Sequence, residues 1–330
     1  MNIFVIGSNS FSGSNFVSHA LSKGYQVTGV SRSPEPSAEF LAYRWKGQKN
    51  IDKFTFLKAD LNSDLGTIIE AIRHDQPGYV VNFAAQGMVA ESWLYPEHWF
   101  QTNLLSNVKL HDQLRQFGFI KKYVHVSTPE VYGTCSGLIP EDSPFNPSTP
   151  YAASRAACEL HLRTFLKNYD FPVVFTRAAN VYGPGQQLYR IIPRTILAVL
   201  TGKKLQLHGG GHSVRSFIHI SDVVTGTLEI AHSAPVGEAY HLSTSRNISI
   251  RELVEKICSR MNARFEDCVQ VVDERPGKDA AYLLDSKKAR DTLNWMDVIE
   301  LEEGIDQTIE WVRGNLDALS KEPLEYIHKP

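Results

Sequence analysis

Four cysteines are too few and too scattered to staple or metallate this 330-residue chain. Cys135, Cys158, Cys258 and Cys268 form no pair with zinc-ligand spacing, so they read as reduced structural thiols, with no metal site. An excess of one charge sign is also missing. With 34 basic and 36 acidic residues and no basic block, nucleic acid is not the partner the chain is built for. No run reaches the roughly eighteen consecutive apolar residues of a membrane span. Met1 leads straight into the apolar run "NIFVIG", without a basic leader or small-residue cleavage site, and the expected location is the cytoplasm. No repeat or low-complexity linker divides the chain. The length accommodates one large α/β domain or two domains sharing a cleft.

What is present is an alternation of strands and helices. "NIFVIG" reads as a strand ending in glycine, "SGSNFVSHALSKGY" as an amphipathic helix and "QVTGV" as a second strand. The turn between the first two is Gly7-Ser8-Asn9-Ser10-Phe11-Ser12-Gly13. Such a turn presents free backbone N–H groups and the positive end of a helix dipole, an arrangement that suits a pyrophosphate. "KFTFLKADL", "GYVVNFAA" and "KKYVHVST" continue as strands, with helices over "LGTIIEAIRHDQP" and "TNLLSNVKLHDQLRQFG". The pattern predicts an α/β fold with a Rossmann-type doubly wound parallel sheet. Ligands in such sheets bind beyond the carboxyl ends of the strands, which singles out Asp60, Asn82, Gln86, Thr128 and Glu130.

The second strand ends "VSRS", without the acid that usually holds the adenosine ribose of NAD. Ser31 and Arg32 suit a 2′-phosphate instead, so the cofactor is expected to be NADP or NAD, with NADP favoured. Further along, "PYAASRAACEL" sets Tyr151 and Arg155 one helical turn apart on one face. A fixed cation beside a phenol favours the phenolate and lowers its pKa.

These segments, in their order, resemble the extended short-chain dehydrogenase/reductase family, and within it the nucleotide-sugar epimerases and 4,6-dehydratases. The resemblance rests on the glycine turn, with Ser10 at its middle glycine, and on "NFAAQ", "TNLLSNVKL", "VSTPEVYG" and "PYAASRAACEL". "TRAANVYGPGQ", "RIIPRTI", "GGGHSVRSFIHISDVV" and "ERPGKDAAYLLD" extend it through the second half. It implies a dinucleotide site formed by Gly7, Ser10, Phe11, Gly13, Ser31, Arg32, Asp60, Leu61, Ala84, Gln86, Asn103, Tyr151 and Arg155. The implied catalytic residues are Thr128, Glu130, Tyr151 and Arg155. Asn180, Arg190, Arg215 and Arg275 are implied contacts of a nucleotide-diphosphosugar substrate.

Two departures stand out. Arg155 occupies the position of the family lysine, which keeps the charge and loses the compact ammonium. Pro129 occupies the position of the 4,6-dehydratase aspartate, while Glu130 stands where the C5 base stands. The expected reaction is nucleotide-diphosphosugar 4,6-dehydration to a 4-keto-6-deoxy sugar. An epimerase or decarboxylase on the same scaffold, or a non-catalytic dinucleotide sensor, are the alternatives. A sheet domain over residues 1–177, with a return near 215–240, is expected to interleave with a smaller C-terminal substrate domain over 178–214 and 241–330. A homodimer is expected, paired through the helices of "TNLLSNVKL" and "YAASRAACEL".

Overall fold

A computed structural model describes residues 2–135, 137–273 and 283–330. Seven parallel strands form the central sheet, in the order Ala239–Leu242, Val173–Ala178, Lys122–Val126, Tyr79–Asn82, Asn2–Ile6, Gln26–Ser31 and Phe54–Lys58. Side chains alternate across a strand, and here both faces are covered. Ile3 and Val5 enter one apolar cluster, together with Phe16, Val17 and Leu21 of helix Phe11–Ser22 and Val224 and Leu228 of helix Ile220–Ser233. Phe4 and Ile6 enter the other, with Ile68 and Ile72 of helix Leu65–Asp75, Leu110 of helix Ser106–Leu114, and Cys158 and Leu162 of helix Pro150–Tyr169. Two-sided burial explains why these strands read as nearly unbroken apolar runs.

From strand Asn2–Ile6 the chain moves to one side of the sheet. It then crosses back to lay strand Tyr79–Asn82 on the other side. The order of strands therefore reverses between these two neighbours, and their carboxyl ends open the crevice in which such sheets bind ligands.

After Ala178 the chain leaves the large sheet. It returns with helix Ile220–Ser233 and strand Ala239–Leu242. The excursions build a second cluster, in which Ile192, Ile196, Leu253, Ile257, Ile305 and Val312 pack three helices together. Those helices are Ile191–Thr201, Ile250–Arg260 and Leu301–Gly314. A three-stranded sheet borders them, its middle strand Val214–His219 parallel to Asn180–Tyr182 and antiparallel to Asn247–Ser249. Among the described residues, no helix is long and apolar enough to cross a membrane.

Candidate active site

The first wall of the crevice is the turn after strand Asn2–Ile6. Gly7 has φ +85°, and a Cβ on it would come within 2.7 Å of the Ala84 nitrogen. Gly13 lies against the turn itself, where a Cβ would meet the Gly7 carbonyl oxygen at 2.1 Å. Ser10, at the position of the middle glycine, is the N-cap of helix Phe11–Ser22. Its hydroxyl accepts from the Gly13 N–H at 3.0 Å and donates to the Gly7 carbonyl at 2.7 Å. Its backbone is extended (φ −71°, ψ 161°), so a side chain costs nothing there. The turn and helix N-terminus fit a dinucleotide pyrophosphate, and the two glycines let the turn close against the backbone of Ala84 and against itself. Gly13→Ala is expected to destabilise the protein by about 1–3 kcal/mol, because backbone must move to admit the methyl group. An unchanged urea midpoint would contradict this close packing.

Ser31 is bonded to this turn, since its hydroxyl accepts the Asn9 N–H at 3.0 Å. The Asn9 amide in turn donates to the Ser33 carbonyl at 3.2 Å. Arg32 lines the crevice beside them. Asp60 and Leu61 follow the carboxyl end of strand Phe54–Lys58. The Asp60 carboxylate accepts the Asn62 N–H at 2.8 Å in a local turn, and Leu61 is buried in the apolar cluster beneath the sheet.

The second wall begins at Asn82. Its amide donates to Asn107 at 2.7 Å and to the Tyr123 hydroxyl at 2.8 Å, while its oxygen accepts the Ala84 N–H at 2.9 Å. Asn103 is fully buried behind Gln86. It accepts the Gln86 N–H at 2.8 Å, donates to the Gln86 carbonyl at 3.1 Å, and donates to Ser154 of helix Pro150–Tyr169 at 3.0 Å. It thus holds the loop after strand Tyr79–Asn82 against helix Pro150–Tyr169. The π-helical turn Gln101–Leu105, a distortion common near functional sites, is where this residue sits.

Helix Pro150–Tyr169 begins at an N-cap, Thr149, whose hydroxyl accepts the Ala152 N–H at 3.1 Å, with Pro150 at the first helical position. Tyr151 is therefore in the first turn, at the positive dipole end. Thr128, which hydrogen-bonds with Tyr151, and Glu130 face it from the end of strand Lys122–Val126. Pro129 opens the short 3₁₀ turn Pro129–Tyr132, a position that needs no N–H donor, so the loss of aspartate here is locally well accommodated. The Thr128 hydroxyl accepts the Glu130 N–H at 3.3 Å.

The cation beside Tyr151 does not win. Burial is the largest influence on the phenol and raises its pKa, and the Glu130 carboxylate raises it further. Arg155, the bond with Thr128 and Arg190 pull it down without reversing the direction. The lowering expected from the Tyr151–Arg155 pair is thus real but outweighed in the free protein. Arg155 itself is 2% exposed. Its guanidinium donates to the Val126 carbonyl and approaches Nε2 of His125 at 3.4 Å. His125 is held neutral, first by burial and then by this guanidinium. Arg155 lines the crevice while one of its donors is held by the strand end beneath it.

Asn180, Arg190 and Arg215 line the far side of the same cleft, whose volume is about 820 Å³. Asn180 donates to the Ser216 carbonyl at 3.2 Å. Arg190 is exposed above the Tyr189 ring, 5.4 Å from its centre. Arg275 lies outside the described residues, as does most of "ERPGKDAAYLLD". Sequence reasoning missed Tyr189 and Tyr326. Both line the cleft and meet edge-on with centres 5.6 Å apart, a contact between residues too distant in the chain to leave a local signal.

A family profile described as GDP-mannose 4,6 dehydratase matches residues 4–308. A dTDP-glucose 4,6-dehydratase of Xanthomonas campestris is 31% identical over 329 residues, covering 94% of this chain and 93% of the relative. DesIV, a dTDP-glucose 4,6-dehydratase of Streptomyces venezuelae solved with NAD and TYD bound, superposes with TM-score 0.89 at 29% identity, covering 98% of this chain and 100% of that one. The UDP-glucose 4-epimerase of Thermotoga maritima, solved with UDP-glucose, superposes with TM-score 0.84 at 26% identity, covering 96% and 100%. A profile match over almost the whole chain, on a fold whose crevice gathers Thr128, Glu130 and Tyr151, places the chain in the GDP-mannose 4,6 dehydratase family.

Proposed function

We propose that the protein dehydrates a nucleotide-diphosphosugar to its 4-keto-6-deoxy derivative, using a tightly held nicotinamide dinucleotide. The observation that carries this is Glu130, which shares the cleft with Tyr151 and Thr128 and is, among its described lining residues, the sole carboxylic acid. The dinucleotide, when bound, supplies reversible hydride transfer. Tyr151 takes the C4 hydroxyl proton, and Thr128 fixes the C4 oxygen. The resulting 4-ketone acidifies C5–H. Glu130 removes that proton, the electron pair forms the C5–C6 double bond, and the C6–O bond breaks. With proline in place of aspartate, Glu130 returns its own proton to the departing hydroxyl, which leaves as water. The dinucleotide, when bound, would return its hydride at C6, and the proton that C5 regains is the one Tyr151 took from the C4 hydroxyl.

NADP is the favoured dinucleotide. The strand that ends "VSRS" carries a guanidinium and two hydroxyls where an NAD site carries an acid. Asn180, Arg190 and Arg215, with Arg275, hold the nucleotide diphosphate. A homodimer is paired through the two helices that leave Leu105 and Leu160 exposed, at 50% and 55%.

The experiment that tests this reading uses Glu130→Gln in heavy water. Nicotinamide reduction on adding substrate is expected to persist, while deuterium incorporation at C5 and product formation stop. Normal C5 exchange in the variant would remove Glu130 from the mechanism.

A further inference from the structure

The stretch "EPLEYIHKP" alternates in burial. Leu324, Tyr326 and His328 are half-buried, while Glu325, Ile327 and Lys329 are exposed. That period of two is an extended chain laid along a surface. It crosses from the smaller half of the molecule to the larger one. Leu324 packs on the apolar cluster of the smaller half, and Glu325 pairs there with Arg194 at 2.6 Å. His328 is the anchor on the larger half. It stacks on Tyr95 and on Trp99, each with ring centres 5.1 Å apart, and shares a 2.8 Å hydrogen bond with His98. Beside it, the Lys329 carbonyl accepts from the Gln86 amide at 2.7 Å and from Arg32 at 3.2 Å, and an oxygen of Pro330 accepts from Arg32 at 2.5 Å.

Between these anchors Tyr326 joins the two walls of the cleft. Its ring meets that of Tyr189, from the smaller half, edge-on with centres 5.6 Å apart. Its hydroxyl is 3.5 Å from the Gln86 oxygen, on the larger half. Of residues 324–330, Tyr326 alone lines the cleft, which keeps about 820 Å³ with the segment docked. That volume lies in the range of ligand clefts, so the segment borders the space without filling it. Its two bonds to Arg32 leave further guanidinium N–H groups for a ligand. The attachment is also light. Glu325 is 73% exposed in its ion pair, which therefore contributes little, and Ile327 is exposed. A segment with few buried contacts belongs to the part of a fold that opens most readily.

We infer that residues 324–330 form a strap that closes over the bound dinucleotide, with Tyr326 as its latch across the cleft. Gln86 and Arg32, which the strap grips, both belong to the expected dinucleotide site. The reaction proposed above is redox-neutral: the hydride taken from C4 must be given back at C6, so the cycle needs a dinucleotide that does not leave in between. A strap that opens for exchange and closes for turnover meets that need. The inference rests on the dinucleotide reading above and adds to it the element that retains the cofactor.

The test is the release rate of NADPH, and of NADH, from the full chain, chased with excess oxidised dinucleotide and read by nicotinamide fluorescence. His328→Ala removes an anchor that does not line the cleft, and Tyr326→Ala removes the latch. Each is expected to release the dinucleotide roughly tenfold faster than wild type, the scale of one aromatic contact. Tyr326→Phe, which keeps the ring contact with Tyr189, should stay close to wild type. Unchanged release in both alanine variants would overturn the strap and leave the dinucleotide reading standing. Slower release would overturn it too, because the segment would then compete with the cofactor. Retention of neither dinucleotide by wild type would overturn both.

Discussion

Replacing Tyr151 by phenylalanine is expected to slow C4 oxidation by roughly 10²–10⁴-fold, the usual worth of a positioned general base. The ring keeps its place on the helix, so substrate affinity should change little, and single-turnover nicotinamide reduction reads the chemical step. The same measurement against pH tests the electrostatics. Burial and the Glu130 carboxylate hold the phenol above its ordinary pKa, so oxidation rises with pH as the phenolate forms. Removing the negative charge in Glu130→Gln moves that rise to lower pH. Removing the positive charge in Arg155→Met moves it to higher pH. A pH profile unmoved in both variants would mean that neither group acts on the phenol, and an oxidation rate close to wild type in Tyr151→Phe would mean that another base does.

Glu159→Ala is expected to cost about 3–5 kcal/mol, because it strands a guanidinium in the interior. Glu159 and Arg177 are both 0% exposed and are joined by two bonds, of 3.0 and 2.5 Å. Arg177 also donates to the Tyr132 hydroxyl at 2.5 Å and to the Glu141 carbonyl at 3.0 Å, and the Ser127 hydroxyl donates to Glu159. Ser127 precedes Thr128, so the pair ties the strand end that carries Thr128 to the helix that carries Tyr151. At roughly 2–4 °C per kcal/mol, the melting temperature should fall by about 10 °C. The double variant Glu159→Leu/Arg177→Met should lose less than either single change, since it buries no unpaired charge. A melting temperature unchanged in Glu159→Ala would contradict the role given to this pair.

Much of the sheet and of the cleft lining was legible because the signals are local. A strand, a glycine turn and a capped helix are written within a few residues, and Tyr151 and Arg155 meet by helical spacing alone. Thr128 and Glu130 were found because polar residues at strand ends face the crevice. What escaped reading depends on contacts between distant parts of the chain. Nothing near Arg177 announces that its partner is Glu159, on a helix packed against its strand. Nothing near Asn103 announces that its amide bonds the Gln86 backbone and Ser154. Asp60 ends a strand as expected, and its carboxylate turns into its own loop. The net rise in the Tyr151 pKa was hidden because spacing reveals the neighbouring cation but not the depth of burial. Tyr326 lies in no motif, and it reaches the cleft beside Gln86 through contacts with residues far earlier in the sequence.

The central claim is that Tyr151 and Glu130, in one cleft, divide two proton abstractions on a single sugar. The most direct test is the mass of the product after incubation with GDP-mannose, dTDP-glucose, CDP-glucose, UDP-glucose and UDP-N-acetylglucosamine in turn. The account predicts that at least one sugar nucleotide loses one water and carries a 4-ketone. Inversion at C4 with no change of mass, or cofactor binding without turnover of any of the five, would contradict it.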